Sequence, residues 1–212
     1  MKKILTTAIL CAGLVGFTAC DSFLDEEPKS SLTLDTYYKT SADIIGNVNY
    51  LYRDGAPDKM GNMTGAYRGS SLSVMNMVTG YFVNEYEGQE VDCSYARQLT
   101  RQNFTQSCCN YLTNDTWKGC YKSINVANAV IKYVDGVEMD GQAQYKAEAR
   151  FFRALNYFYL VKMFGDVPMI TEPTEDATLV EYPARTAASE VYKTVIIPDL
   201  QFAVENLPDA TF

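Results

Sequence analysis

Two stretches of helical periodicity, separated by one breaker, constrain this chain most. Trp117, Tyr121, Ile124, Ala127, Ile131 and Val134 fall at steps of 4, 3, 3, 4 and 3. Apolar residues at that spacing share one face of an α-helix. Asp115 or Thr116 is placed to cap its start, and Asp135-Gly136 closes it. A second helix is predicted from about Gln142 to Phe164. Phe152, Leu155, Tyr159 and Met163 line one stripe of it; Phe151, Ala154, Phe158 and Val161 line the neighbouring stripe. So wide an apolar surface must be covered on more than one side, as happens inside a helical stack. Gly165 permits the positive φ of a helix stop, and Pro168 prevents continuation.

The remaining elements are shorter. Ser41 is an N-cap candidate, followed by Ile44, Ile45, Val48, Leu51 and Tyr52 at helical steps, with Asp54-Gly55 ending the run. Residues 56–66 are turn-rich, and Leu72, Met75, Val78 and Phe82 again keep helical spacing. Residues 83–115 are polar, flecked with aromatics and without a period, which is long for a bare connection in a compact domain. Residues 166–185 read as loop. A final helix begins near Thr186, with Tyr192, Ile196, Leu200, Ala203 and Leu207 on one face. Pro198 lies inside that pattern and should kink or split it. The fold class is therefore all-α: an irregular tetratricopeptide-like helical stack with long loops. Helix starts near 117, 142 and 187 do not keep a 34-residue period.

The amino terminus is an address. Residues 1–19 carry Lys2 and Lys3, then an uncharged run from Ile4 to Ala19, and form a signal peptide. Phe17-Thr18-Ala19-Cys20 resembles a lipobox, with Cys20 as the lipid attachment site; ordinary cleavage after Ala19 is the alternative. Removing residues 1–19 takes away two lysines, so the net charge goes from −8 to −10. Residues 20–35 are polar and acidic and form a tether, and residues 36–212 form the helical domain. Exported cysteines can pair. One disulfide, for instance between Cys93 and Cys108 or Cys109, is compatible with the spacing. Cys120 completes the set, and the spacings are not the paired CxxC of a zinc site.

Composition excludes several functions. There is no histidine, which removes a Ser-His-Asp triad, a Cys-His pair and His-ligated zinc. The 26 acidic against 18 basic residues disfavour a nucleic-acid partner. Glu85, Glu87, Glu90 and Asp92 lie close in sequence, but acid clusters on loops are ordinarily solvated, and a glycosidase needs two carboxylates across a cleft. The reading is a protein that is not an enzyme and needs no cofactor or metal.

Four ordered motifs then carry a resemblance. Trp117-Lys118-Gly119-Cys120-Tyr121 through Ile124 and Asn128 resembles the W…Y..I…N signature of SusD/RagB-like proteins. Ala147-Glu148-Ala149-Arg150-Phe151-Phe152-Arg153-Ala154-Leu155, with Tyr157-Phe158 and Phe164-Gly165-Asp166-Val167-Pro168, resembles that family's most recognisable block. Arg185-Thr186 through Tyr192 and Asp199-Leu200, and the start Cys20-Asp21-Ser22-Phe23-Leu24-Asp25, fit as well. The resemblance implies a lipoprotein on the exterior of the outer membrane, anchored in lipid through acylated Cys20. Its expected role is to bind glycan or peptide nutrients and hand them to a SusC-like TonB-dependent transporter. An adaptor that docks on the transporter without its own ligand site is the alternative. It also implies that the chain matches the amino-terminal portion of such proteins, the carboxy-terminal portion being absent.

The motif aromatics Trp117, Tyr121, Phe152 and Phe158 are expected in the core, and Arg150 and Arg153 are expected to pair with acids or cap carbonyls between helices. Sugar binding asks for aromatic rings off those stripes, because the flat face of a pyranose stacks on a ring while amides and guanidinium groups read its hydroxyls. The segment Tyr81 to Tyr111 offers them, and Tyr86, Tyr95, Arg97 and Asn103 are the candidate ligand residues.

Overall fold

The computed structural model describes residues 33–55, 79–83, 97–98, 100–175 and 183–209. In chain order these form α1 (Leu34–Tyr37), α2 (Ser41–Asp54), α3 (Gln106–Tyr133), a 3-10 turn (Val134–Gly136) and α4 (Gln142–Phe164). Strands β1 (Val167–Pro168) and β2 (Arg185–Thr186) follow, then α5 (Ala188–Val191), a π-helical turn (Tyr192–Ile196) and α6 (Ile197–Asn206). The architecture is all-α, as the periodicity predicts. Among the described residues no helix is long and apolar enough to cross a membrane.

Helix α4 is the central element and packs against α2, α3 and α6. Its buried residues, among them Ala149, Phe152, Arg153, Asn156, Tyr157 and Leu160, wrap most of the helix. One strip stays open: Phe151 and Phe158 face solvent, Phe158 at 37% exposure. That corrects the expectation of Phe158 in the core. Its ring instead meets Tyr192 edge-on at 6.4 Å and carries the Lys162 ammonium at 5.7 Å. Trp117 is half-buried, edge-on to Phe164 at 5.1 Å, and Phe152 is buried.

The helix ends follow local chemistry, with two corrections. Helix α2 is capped by Thr40 rather than Ser41. The Asp43 carboxylate accepts from the Thr40 amide at 2.8 Å and the Thr40 hydroxyl at 2.7 Å, closing a capping box. Tyr52 is half exposed instead of facing the core with Ile44, Val48 and Leu51. Helix α3 starts at Gln106, ten residues before Thr116, so neither Asp115 nor Thr116 is its cap. Its far end closes at Asp135-Gly136 as expected, and Gln142 from the start of α4 donates to the carbonyls of Val134 and Val137 at 3.2 and 2.6 Å. Gly165 ends α4 at φ 69°, ψ −125°, a conformation open to glycine alone among ordinary residues.

The last helix holds the largest departure from simple periodicity. Pro198 has no N–H, and its ring crowds the carbonyl four residues back. The turn ahead of it widens, so that the Ile197 amide bonds to the Tyr192 carbonyl, five residues back. The extra residue rotates the following turn. Val191, Val195, Ile196, Asp199 and Ala203 face inward, and Leu200 stands 38% exposed. The expected face through Tyr192 and Leu200 is therefore displaced by one position, and an aspartate takes an inward place.

Asp199, 2% exposed, is held by Arg153 of α4. The Arg153 Nε and Nη2 atoms donate to its two carboxylate oxygens at 2.7 and 2.9 Å, a bidentate pair. Nη1 donates to Asn128 Oδ1 of α3 at 2.9 Å. Arg150 approaches the same carboxylate at 3.8 Å and lies over the Phe202 ring at 4.2 Å. Both arginines thus do what the sequence suggests, pairing with an acid between helices.

Two expectations follow. Asp199→Ala leaves buried cationic groups without a counter-charge and should lower the unfolding free energy by about 3–5 kcal/mol; the double variant Arg153→Met/Asp199→Leu should recover most of that in urea titrations. The Thr40 hydroxyl and amide that donate to Asp43 hold its carboxyl below the usual range. A depressed carboxyl stabilises above its unfolded pKa, about 3.9 for Asp, and loses that contribution as pH falls through the lower folded value. Helicity of α2 should fray over that acid window, and Asp43→Asn should abolish the pH dependence.

Candidate ligand segment and a polar frame between helices

The candidate ligand residues of the sequence lie ahead of α3. Arg97 and Asn103 belong to one compact turn. The Arg101 amide bonds to the Arg97 carbonyl at 3.0 Å, and the Asn103 amide bonds to the Gln98 carbonyl at 2.8 Å. The Thr105 hydroxyl closes the turn on Gln98 Oε1 at 2.8 Å. Gln102 sits at φ 54°, the left-handed region, which lets the chain double back and sets Asn103 and Phe104 outward. Tyr86 and Tyr95, the other two candidates, lie outside the described residues.

Exposed rings also stand elsewhere. Tyr81 is 90% exposed, beyond the turn at Gly80, with Phe82 and Val83 beside it. Phe104, half exposed next to Asn103, was not among the candidates. Its signal is weak in sequence because one phenylalanine in an aperiodic stretch looks the same whether it faces in or out. A ring and an amide side by side on a braced turn are what pyranose stacking and hydroxyl recognition require.

Farther along the chain, the motif residues build a polar frame. Residues 166–175 are not free loop. Val167 and Pro168 pair antiparallel with Thr186 and Arg185. Tyr121 donates to the Pro168 carbonyl at 2.7 Å, and Asn128 Nδ2 donates to those of Ile170 and Glu172 at 3.0 and 3.2 Å. The Tyr157 hydroxyl both donates to the Ile170 carbonyl at 2.9 Å and accepts from the Ile170 amide at 2.6 Å. Asn125 Oδ1 accepts from the Thr174 amide at 2.7 Å. Lys132 and Tyr133 close the far end on Glu175, at 2.5 and 3.1 Å. Burial pushes the Tyr157 hydroxyl up to about 12, so it keeps the proton it donates at neutral pH.

Of the cysteines, only Cys120 has a described side chain. It is a buried free thiol, so it takes no part in a disulfide. A pairing of Cys93 with Cys108 or Cys109 lies outside the described side chains, as does Cys20. No cluster of three or more His, Cys, Asp or Glu side chains suited to a metal occurs among the described residues.

Comparison with known proteins gives the geometry a context. A family model described as starch-binding and associating with the outer membrane matches residues 22–212. A SusD-like protein of Formosa agariphila is 31% identical over 215 residues, covering 100% of this chain and 39% of its own length. A SusD superfamily structure from Parabacteroides distasonis superposes with a TM-score of 0.60 at 27% identity, over 77% of this chain and 33% of that one. A laminarin-binding SusD-like structure superposes at 0.63 and 26% identity, over 82% of this chain and 36% of that one. The chain spans 34–39% of the length of the curated relatives it matches.

Burial pushes the Cys120 thiol up to about 12, so it stays protonated and shielded through the neutral range. Peptide mapping after iodoacetamide at pH 8 should find Cys120 unmodified in the native protein and fully modified in guanidinium chloride.

Proposed function

The chain belongs to the SusD-like family, and on that footing we propose that it is a non-catalytic surface lipoprotein that binds a glycan, or a peptide, for uptake. The observation that carries this reading is the family match running unbroken from residue 22 to residue 212. The laminarin-binding neighbour supports a polymeric sugar as the first ligand to try. Cys20 carries the lipid, and the acidic stretch after it tethers the helical body to the exterior of the outer membrane. Buried acyl chains contribute about 0.8 kcal/mol per CH₂, so multiple acylation holds the protein there stably. A SusC-like TonB-dependent transporter receives the ligand. Tyr86, Tyr95, Arg97 and Asn103, joined by Phe104, form the amino-terminal share of the ligand surface. This is binding chemistry: rings to stack on, amide and guanidinium groups to read hydroxyls, and no histidine to move a proton.

Affinity-gel electrophoresis of residues 21–212, and of the membrane-bound protein, against laminarin and a panel of other glycans tests it. Retardation is expected. Single Ala substitutions at Arg97, Asn103 and Phe104 should each weaken binding by about tenfold, or ~1.4 kcal/mol, without lowering the unfolding midpoint. Cys20→Ser should abolish incorporation of labelled fatty acid and move the protein to the soluble fraction. Co-purification of a transporter with no retardation by any glycan or peptide would favour docking without a ligand site. Turnover of the glycan would overturn the proposal.

A further inference from the structure

Residues 168–175 meet the helices in large part through main-chain groups bonded by helix side chains. We infer that the groove between α3 and α4 is a peptide-recognition site that reads main chain, and that this segment fills it in cis. The inference stands apart from the proposed ligand segment and does not depend on it.

The argument starts from placement. Tyr121, Asn125, Asn128 and Lys132 recur at steps of 4, 3 and 4 and so lie on one line along α3. Arg153 and Tyr157, one turn apart, face them from α4. Tyr121, Asn125, Asn128 and Tyr157 reach the Pro168, Ile170 and Glu172 carbonyls and the Ile170 and Thr174 amides, with Arg153 Nη1 at 3.5 Å from the Thr171 carbonyl, while Lys132 bonds to the Glu175 carboxylate. Main-chain groups are common to nearly every residue, so a site of this kind has little regard for side-chain identity. Of the segment's side chains, Thr171, Glu172 and Thr174 are exposed, whereas Pro173 is buried and Met169 packs on the apolar core.

Part of the frame is braced by contacts that lie outside the segment. Asn128 Oδ1 accepts from Arg153, which fixes its Nδ2 toward the groove, and Arg153 is itself fixed by Asp199. A preorganised set of donors and acceptors is what a ligand site has and what casual loop packing lacks. Connected by short tethers on both sides, the cis segment holds an effective concentration in the millimolar range. The groove is therefore closed to outside peptides in the folded protein, and a nutrient must be gripped elsewhere.

The test uses a dye-labelled peptide of residues 167–175 and a full chain from which residues 169–174 are deleted, so that their main chain no longer occupies the groove. The emptied chain should bind the peptide at least tenfold more tightly than the unaltered chain. Tyr157→Phe in the emptied chain, or N-methylation of the peptide at Ile170, should abolish that binding. Ala at Thr171 and Glu172 of the peptide should not. Equal binding to both chains, or none to a correctly folded emptied chain, overturns the inference. Should the emptied chain fail to fold, amide exchange in the unaltered chain decides. Ile170 and Thr174 should exchange at least a hundredfold more slowly than in the free peptide, and Tyr157→Phe should release Ile170. Exchange at the free-peptide rate overturns it.

Discussion

The ion pair between Arg153 and Asp199 is the contact through which α3, α4 and α6 are held together. It joins α4 to α6 through two short hydrogen bonds, and through Asn128 it reaches α3. Taking two charges out of water is expensive, and their attraction repays the cost only when the remaining donors are satisfied. Here they are. One guanidinium edge takes the carboxylate, and the remaining nitrogen takes an amide oxygen and approaches a backbone carbonyl. The planar fork makes arginine the residue for such a position; a lysine presents a point charge and could not orient Asn128 as well.

That arrangement couples packing to the chain from Met169 to Glu175. Backbone groups in a buried loop need partners, and where no ladder is available side chains must supply them. Tyr121, Asn125, Asn128 and Tyr157 do so. Asp199, Arg153 and Asn128 thus form one connected polar cluster that reaches this chain, and two apolar clusters pack the helices. One cluster, around Ile44, Val48, Val130 and Phe152, joins α2 to α3 and α4. The other, around Ile124, Leu160, Val167 and Val195, joins the far ends of α3 and α4 to the last helix.

Much of this was legible beforehand. The bounds of α4 agree with the sequence reading because glycines at 141 and 165 punctuate a strongly apolar run. The start of α3 was hidden. Residues 106–115 carry no apolar period, and their helicity rests on continuity with the strong helix downstream rather than on a stripe of their own. Phe158 misled because a helix with apolar residues nearly all round gives no hint of which strip stays open. The polar roles of Asn128 and Tyr157 were invisible for another reason: periodicity reports what is greasy, not what reaches a carbonyl 13 or 42 residues away. Arg97 and Asn103 could be proposed from the sequence because a ligand segment is expected to break the helical rhythm, whereas Phe104 came forward only through its exposure.

The wide turn before Pro198 makes the last helix a device with two phases. Delete one residue between Val191 and Asp199, and everything beyond swings by about 100°. Leu200 would then be offered to the interior and the aspartate would be lost to solvent, leaving Arg153 stranded. Hydrophobicity alone favours that slipped phase; the buried charge forbids it. A carboxylate that adds little net stability can therefore serve as a key, admitting one rotational setting of a helix whose greasy residues would accept another.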